Sequence, residues 1–433
     1  MLETTILLEQ HPLRRESLKR RQRYVDALAY NIGTKINEQH SLDIFDLYCK
    51  VLLPEEGHSV KPSPGISGLF KYRYTLYLDI WFITAFQDEV RGKELGHILE
   101  QQIPIIYRKK LWQLYEYLYG HGEKKTFKFA DKQIQIWYEN KSFAKRRIKK
   151  ILFTANMSAG KSTLINALVG KRVNKSQNDT CTTKLHYIFN KPLEDGFVAE
   201  DDNIFKLDAD YLALMTDDVS NRNNLIKVGT YFRSPFLSKH KLCFVDTPGV
   251  NSSLDESHRQ ITEDALAHED DYMLVYVING ESIGTDDERK YMDYLASVVG
   301  NASIAFVVNK IDRFKKGEDS IADSLQKIRD DVHKAGFKNA MVLPVSANAG
   351  LLAKLQLAGD SLSEDDIDEL DVLERKFRRE EYNLLQFYPF DVQEKCKTIA
   401  ETLYPNCAKK SVQLLLNCGI LGIEQMLMLW LEG

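Results

Sequence analysis

The chain has 433 residues, about three times the usual length of one domain, so we expect more than one structural unit. Hydrophobic residues make up 44% of it and charged residues 28%, which is typical of soluble globular proteins and excludes disordered, collagen-like and multispanning membrane proteins. The six cysteines form no CxxC pair, which excludes a zinc knuckle and a disulfide framework. Such cysteines fit a reducing cytosol, so we expect a cytoplasmic protein. The sequence has no run of about 18 apolar residues and no signal-peptide pattern, so we predict no spanning helix.

Positive charge is concentrated in the first third of the chain. Residues 1–150 carry 26 Lys and Arg against 18 Asp and Glu, a net charge of +8, whereas the remainder carries 32 against 44, or −12. Three of the four tryptophans also lie in the basic part. Such a shift in composition is typical of a domain boundary. We therefore predict a basic N-terminal domain over residues 1–147 and a second domain over residues 148–433.

The N-terminal domain has mainly helical patterns. The first predicted helix covers about residues 14–32 and ends at Gly33, and the second, INEQHSLDIFDLYCKVLL, stops before Pro54. The aromatic segment FKYRYTLYLDIWFITAF has the composition of a strand and the length of a buried helix, and we favour the helix. Two more helices are predicted over KELGHILEQQI and IIYRKKLWQLYEYLYG.

From residue 148 onwards the pattern is that of an α/β domain. Five short apolar runs have the length and β-branched content of strands that are buried on both faces: ILFTA, KLCFVDT, YMLVYVI, SIAFVVN and MVLPVS. Such strands, separated by helical segments, predict a mostly parallel sheet flanked by helices. The charged stretch over about residues 352–410 is predicted to be a helical insertion before a last helix, CGILGIEQMLMLWL, with one apolar face toward the core.

The first of these strands leads directly into a phosphate-binding pattern, NMSAGKSTLINALVG. Backbone N–H groups around residues 158–162 and the positive end of the following helix would hold a β-phosphate. Lys161 would reach the β- and γ-phosphates, and the Ser162 hydroxyl would bind Mg2+. The loop departs from the usual GxxxxGKS pattern at Ala155, which stands in place of the first glycine. The predicted nucleotide-binding residues of the loop are Asn156, Met157, Ser158, Ala159, Gly160, Lys161, Ser162 and Thr163.

Metal-binding candidates follow the loop along the chain. Asp246, at the end of KLCFVDT, would hold Mg2+ through a water molecule, and the backbone N–H of Gly249 would contact the γ-phosphate. Thr182, 21 residues after Lys161, and its neighbour Thr183 could bind Mg2+ and the γ-phosphate, and we select Thr182. The alternative is two threonines beside a strand with no ligand. The predicted metal ligands are Ser162, Thr182 and Asp246.

Two later strands end in residues suited to a nucleotide base. FVVNKID supplies Asn309, Lys310 and Asp312. The Asp312 carboxylate can accept hydrogen bonds from N1–H and the exocyclic amine of guanine, a pattern that adenine does not offer, so we expect guanine. PVSANAG places Ser346 and Ala347 where a backbone N–H can reach the guanine carbonyl.

Together these motifs resemble the GTPase domain of the dynamin superfamily, and bacterial dynamin-like proteins in particular. The resemblance extends over about residues 148–350 and depends on NMSAGKSTLINALVG, CTT, DTPGVNSSLDESH, NKID and VSA. It implies GTP hydrolysis with Mg2+ and the dimerisation of two such domains across bound nucleotide, which drives a helical stalk. No long stalk follows the last predicted helix, so we expect a stalk from the N-terminal domain or from a partner chain.

The resemblance leaves the catalytic group open. Dynamins orient the attacking water with a glutamine of the phosphate loop, where this chain has Met157, and Val250 replaces the glutamine that Ras-like proteins have after DTPG. Backbone groups, a monovalent cation near Ser158 or Asn156, or a residue supplied across a dimer could compensate, and Asn156 and His258 are further candidates. The predicted catalytic residues are Lys161, Ser158 and Thr182.

Other functions also fit the sequence. A slow regulatory GTPase that acts through a partner protein fits the missing glutamines, and an Era-like GTPase that acts on RNA or the ribosome fits the TTK sequence and the basic N-terminal half. The clusters RRESLKRRQR and KSFAKRRIKK fit a solvated helix face, a contact with anionic lipid or an acidic partner, or, least favoured, nucleic acid. We expect GTP and GDP as ligands, and a homodimer or a hetero-oligomer with another GTPase chain. Peripheral contact with the inner face of a membrane is the alternative to a purely cytoplasmic protein.

Overall fold

The computed structural model of the chain describes most of its residues. Outside the described part lie residues 1, 7, 34–38, 54–58, 65–67, 175–184, 202–203, 208–224, 248–271, 300–302, 316, 318–319, 339 and 433. Thr182, Thr183, Gly249, Val250 and His258 are therefore outside the described residues, and the roles predicted for them stay predictions.

The N-terminal part of the chain is a helical bundle, as predicted. Its helices are α1 (Leu18–Gly33), α2 (Gln39–Leu52), α3 (Arg73–Thr84), α4 (Glu89–Gln102), α5 (Ile105–Tyr119) and α6 (Asp131–Ala144). The ambiguous aromatic segment is helix α3, and every residue from Thr75 to Thr84 is buried. A helix buried on all sides has no polar face, so its sequence does not show the helical period. The bundle has its own apolar core, which includes Trp81 and Trp137.

The second part is a nine-stranded sheet covered by helices. The strands are β1 (Lys149–Ala155), β2 (Leu185–Asn190), β3 (Phe197–Asp201), β4 (Ile204–Leu207), β5 (Leu225–Thr230), β6 (Leu242–Asp246), β7 (Tyr272–Asn279), β8 (Ser303–Asn309) and β9 (Met341–Pro344). Their order across the sheet is β4-β3-β5-β2-β6-β1-β7-β8-β9. The five predicted strands are β1 and β6 to β9, and all are parallel neighbours. Their carboxyl ends therefore lie along one edge, where ligands of such sheets bind.

The sequence does not predict strands β2 to β5. β2 runs antiparallel to β6 and parallel to β5, and β3 runs antiparallel to both β4 and β5. In β2, buried residues alternate with half-buried ones. Its sequence, LHYIFN, therefore lacks the continuous apolar run that identifies the central strands. The sheet is mostly parallel, as predicted, but one half of it is mixed.

Helices before, between and after the later strands in the sequence accompany this sheet. They are α7 (Lys161–Val169), α8 (Asp286–Val298), α9 (Ile321–Lys334), α10 (Ala347–Ala358), α11 (Glu364–Phe377), α12 (Phe390–Leu403), α13 (Lys409–Asn417) and α14 (Ile420–Glu432). The stretch predicted as an insertion, residues 352–410, contains α11 and α12, but its first bound falls inside α10. Within the described part of the chain, no single helix is long and apolar enough to span a membrane, and α13 and α14 pass that test only as a pair bent by 53°.

Thr5 and Ile6 connect the bundle to the sheet. The Thr5 N–H donates to Asn140 Oδ1 of α6, and the Asn140 amide donates back to Thr5 O, both at 2.8 Å. On its other side, Thr5 Oγ1 donates to Leu193 O at 3.1 Å, and the Ile6 N–H donates to Asp195 Oδ2 at 2.7 Å. Since Leu193 and Asp195 follow β2, these bonds attach the segment after β2 to the bundle. The division predicted between residues 147 and 148 stays a prediction.

Glu288 is a buried carboxyl group in the first turn of α8. Its Oε2 accepts a hydrogen bond from the Gly284 N–H at 3.2 Å, and burial raises the pKa of Glu288 to about 7. Because this pKa is higher than in the unfolded chain, the folded state binds more protons above pH 4.5. The free energy of unfolding therefore falls as pH rises through about 7.

We expect the free energy of unfolding, measured with denaturant, to fall by about 2 kcal/mol between pH 5 and pH 8. Glu288→Gln should remove most of the loss, because glutamine does not titrate. Asp287→Asn, at an exposed acidic residue of the same turn, is the control and should retain it. An identical pH dependence in wild type and Glu288→Gln would contradict the assignment.

Candidate functional site

The chain between β1 and α7 forms a tight loop. Ser158 and Gly160 have positive φ angles of 60° and 83°. A Cβ atom at Gly160 would lie 2.4 Å from Asn309 Nδ2, so both backbone conformation and space require glycine there. Ala155, which replaces the first glycine of the usual pattern, is the last residue of β1 and is buried. An extended strand accepts alanine, so this substitution is compatible with the loop.

Lys161, Ser162 and Asp246 meet at the start of α7. Lys161 Nζ donates to Asp246 Oδ1, and Ser162 Oγ donates to Asp246 Oδ2 at 3.1 Å. Asp246 is fully buried and Lys161 is nearly so. The parallel pairing of β1 with β6 places Phe153 beside Asp246, which is why the end of β6 reaches the loop that follows β1. Two of the three predicted metal ligands therefore lie within hydrogen-bond distance of each other.

Asn309 connects the loop to the two base motifs. Its Nδ2 donates to Ala159 O at 3.0 Å, and its Oδ1 accepts from the Ala347 N–H at 2.9 Å. Ser346 Oγ donates to Asp312 Oδ1 at 2.6 Å. The ends of β1, β8 and β9 are thus joined by side-chain hydrogen bonds, as expected for neighbouring motifs at one sheet edge.

The backbone N–H groups assigned to the guanine carbonyl already have partners within the chain. The Ala347 N–H is bonded to Asn309, and the Ser346 N–H donates to Cys418 O at 2.9 Å. A guanine carbonyl would have to share or displace one of these bonds. Lys310, in contrast, has a left-handed backbone with φ of 65°, and its Nζ lies 3.3 Å from Glu281 Oε2, two residues beyond the end of β7.

Sequence reasoning missed Lys376 of helix α11. Lys376 Nζ donates to Asp312 O at 2.7 Å and also to Phe314 O. Tyr382 OH donates to Phe314 O at 3.2 Å. These bonds hold the turn that carries Asp312. A lysine 64 residues after Asp312 gives no signal in a motif, because only the fold brings α11 to this turn.

The remaining predicted loop residues surround the start of α7. Asn156, Met157 and Thr163 are half-buried, and Ser158 is exposed. The Asn156 carbonyl accepts from the Ala159 N–H at 3.3 Å. Ser158 is therefore at the surface of the loop, among the residues whose backbone N–H groups are predicted to bind phosphate.

The donor set at Asp246 fits Mg2+. A carboxylate and the Ser162 hydroxyl are hard oxygen ligands, and Mg2+ commonly binds one or two such protein groups together with phosphate oxygens and waters. No group of three or more His, Cys, Asp and Glu that could enclose a metal occurs among the residues that the structure describes. The site is therefore suited to a cation that is shared with a phosphate ligand.

Comparison with known proteins agrees with this geometry. Residues 151–311 match the model of the dynamin family. The probable transmembrane GTPase FZO-like, chloroplastic, of Arabidopsis thaliana is 25% identical over 224 residues, which are 51% of this chain and 21% of that protein. Dynamin-like protein A of Bacillus subtilis is 23% identical over 187 residues, 43% of this chain and 15% of that protein.

Solved structures similar to this chain include one of an oligomerised bacterial dynamin pair, with 14% identity, a TM-score of 0.40, and coverage of 98% of this chain and 73% of that chain. Another is Era of Aquifex aeolicus, with 19% identity, a TM-score of 0.29, and coverage of 50% and 58%. The chain spans about a fifth or less of the length of the FZO-like protein and of dynamin-like protein A. Residues 151–311 are therefore similar to the GTPase domain of the dynamin superfamily.

Proposed function

We propose that this chain binds GTP together with Mg2+ and hydrolyses it to GDP and phosphate. The observation that carries the proposal is the meeting of Lys161, Ser162 and Asp246 at the start of α7. Asn309 joins their loop to the strand end that leads to Asp312. A phosphate-binding end and a base-binding end therefore lie along one edge of the sheet, as nucleotide binding requires. The match to the dynamin family supports GTP hydrolysis at the level of the family.

In this proposal each residue has a separate task. Loop N–H groups and the positive end of α7 hold the β-phosphate, and Lys161 exchanges Asp246 for the β- and γ-phosphates. Ser162, and Asp246 through a water molecule, would hold Mg2+, with Thr182 as the predicted third ligand. Bound there, Mg2+ would compensate the negative charge that develops as the γ-phosphate leaves.

The group that orients the attacking water completes the proposal. Met157 has no donor for that task, and Ser158, with its exposed hydroxyl, is the predicted catalytic residue of the loop beside Lys161 and Thr182. A monovalent cation near Ser158 would contribute in the same place. A second chain could supply a further group across the nucleotide, so we propose a nucleotide-dependent homodimer, or a hetero-oligomer with another GTPase chain.

Turnover of GTP per molecule at increasing protein concentration tests this proposal. We expect the specific activity to rise with concentration, because catalysis is completed between chains. Lys161→Ala is the control for contaminating activity and should abolish turnover, since it removes the charge that contacts the β- and γ-phosphates. A low rate that is independent of concentration, together with tight GTP binding, would instead support a slow regulatory switch that acts through a partner protein.

We propose further that the bundle contacts a membrane surface, through residues other than the cluster KSFAKRRIKK. The cluster KSFAKRRIKK lies where the bundle meets the sheet. Arg146 donates to Lys239 O, and Lys149 Nζ donates to Leu431 O at 2.5 Å and lies 5.4 Å from the centroid of the Trp430 ring. Arg146 and Lys149 thus have partners within the chain, which makes this cluster a weaker candidate for a membrane surface.

The opposite end of the bundle combines cations with exposed apolar side chains. We call it the basic end: three segments, residues 70–73, 104–110 and 127–130, carry six Lys and Arg, of which Lys71 is paired with Glu16, and Asp131 follows the last segment. The segments adjoin, since the Arg73 guanidinium lies 4.0 Å from the centroid of the Tyr107 ring, and the ring centroids of Tyr72 and Phe129 are 5.2 Å apart. Helix α6 begins here and runs for 14 residues, or about 20 Å, toward the sheet.

Charge and apolar exposure at the basic end both fit an anionic lipid surface. Ile105 and Ile106 are 77% and 76% exposed, and Phe70 is 56% exposed. Helices α3, α5 and α6 all begin here, so their positive ends add to the charge of the side chains. Apolar groups among cations are the combination that inserts into the headgroup region of anionic membranes. Binding of the full chain to vesicles with and without phosphatidylserine tests this proposal. We propose peripheral contact with the inner face of a membrane on the same grounds.

A further inference from the structure

Asn174 lies next to the proposed metal site but belongs to none of the nucleotide-binding motifs. Its Nδ2 donates to Asp246 Oδ2 at 2.6 Å, and its Oδ1 lies 3.0 Å from His186 Nδ1. Asn174 is 1% exposed, so these bonds are shielded from bulk water. The amide therefore has one orientation, with its donor toward the carboxylate and its acceptor toward the imidazole.

Asn166 fixes the backbone of Asn174. Asn166 Oδ1 accepts from the N–H groups of Val173 and Asn174, both at 2.9 Å, and its Nδ2 donates to Asn174 O at 2.8 Å. Asn166 lies in α7, the helix that begins with Lys161. Helix α7 thus donates to Asp246 directly through Lys161 and Ser162. Through Asn166 it also holds the backbone of Asn174, which is a further donor to Asp246.

His186 extends this arrangement to strand β2. In the antiparallel pairing of β2 with β6, His186 lies opposite Asp246. Asn174 and His186 come directly before and shortly after residues 175–184 in the sequence. Their contact therefore joins the chain on both sides of that segment to the Asp246 carboxylate.

We propose that Asn174 is a positioning residue that orients the Asp246 carboxylate for a divalent cation. This inference rests on the proposed binding of GTP with Mg2+. A neutral donor on Oδ2 fixes the rotation of the carboxylate about its Cβ–Cγ bond and adds no positive charge that would repel the cation. Groups that hydrogen-bond a metal ligand in this way typically contribute about 10- to 100-fold to metal affinity.

Asn190 provides a matched control at the other end of β2. It is fully buried, its Nδ2 donates to Ser238 O at 2.9 Å, and its Oδ1 accepts from the Phe232 N–H at 2.9 Å. Asn190→Leu thus removes a buried, hydrogen-bonded asparagine from β2, the strand that contains His186, and Asn190 makes no hydrogen bond to Asp246. A structural role alone predicts the same consequences for Asn174→Leu and Asn190→Leu.

The experiment measures how Mg2+ slows the release of a fluorescent GDP analogue, mant-GDP, from the full chain. We expect Asn174→Leu to raise the Mg2+ concentration for half-maximal slowing at least about 10-fold. Asn190→Leu should lower the midpoint of denaturant unfolding and leave the Mg2+ midpoint unchanged. Asn174→Ala leaves room for a water molecule at the carboxylate, so we expect a smaller shift in the same direction, and it serves as the test variant if Asn174→Leu does not fold.

The outcomes separate this inference from the proposed function. Equal Mg2+ midpoints in wild type and the Asn174 variants would overturn the positioning role and leave nucleotide binding intact. A shift in Asn190→Leu as large as in Asn174→Leu would show general destabilisation and would also overturn it. If the wild-type chain does not bind mant-GDP at all, the proposed nucleotide site is rejected, and the inference fails with it.

Discussion

Replacing Asp312 with asparagine is expected to weaken GTP binding at least about 100-fold and to make xanthosine triphosphate the preferred nucleotide. A carboxylate offers two acceptors to the N1–H and amine of guanine, whereas an asparagine offers one acceptor and one donor. Xanthine has a carbonyl in place of that amine and so matches asparagine. Ser346 Oγ donates to Asp312 Oδ1 at 2.6 Å, and the Oδ1 of an asparagine can accept the same bond. The amide nitrogen would then take the place of Oδ2.

Competition of GTP, xanthosine triphosphate and ATP against mant-GDP measures this change. Asp323→Asn, at an exposed acidic residue in the first turn of α9, is the matched control and should keep the preference for GTP. Equal affinities of wild type and Asp312→Asn for GTP would show that Asp312 does not contact the base. The base-binding part of the proposed function would then be wrong.

The nucleotide motifs could be placed from the sequence because each follows a strand buried on both faces. Parallel strands bring their carboxyl ends to one edge, so the order of Lys161, Asp246, Asn309 and Ser346 along the chain already implies their proximity. Their hydrogen bonds agree with that expectation. The nucleotide roles themselves stay predictions until binding is measured.

The residues that support these motifs could not be found in the same way. Lys376 reaches Asp312 from 64 residues away, and Asn174 reaches Asp246 from 72 residues away. A lysine on a charged helix and an asparagine in a loop are common residues with no characteristic spacing. Only tertiary packing gives them partners. Strand β2, in the mixed half of the sheet, could not be predicted for a related reason, since its alternating buried and half-buried residues give no continuous apolar run.

Changing both exposed isoleucines of the basic end to serine, Ile105→Ser with Ile106→Ser, is expected to weaken binding to phosphatidylserine vesicles about 100-fold. Transfer of an exposed isoleucine side chain into an apolar environment contributes about 1.5 kcal/mol or more, so two of them account for about 3 kcal/mol. Lys109→Gln with Lys110→Gln should weaken the free energy of vesicle binding by about 1 kcal/mol per charge at low salt and by less at high salt. Co-sedimentation of the full chain with vesicles of known composition measures both effects.

Val90→Ser is the matched control for the isoleucine variant. Val90 is 72% exposed in the first turn of α4, and the 14 residues of that helix place it about 20 Å from the start of α5. The control should therefore bind vesicles as wild type does, and mant-GDP binding should be unchanged in every variant, because the basic end lies away from the nucleotide site.

If the isoleucine and lysine variants also bind vesicles normally, the basic end does not contact lipid. Loss of binding in the lysine variant alone would identify a purely electrostatic surface, for which an acidic protein would be an equally suitable partner, and the insertion of Ile105 and Ile106 would be excluded.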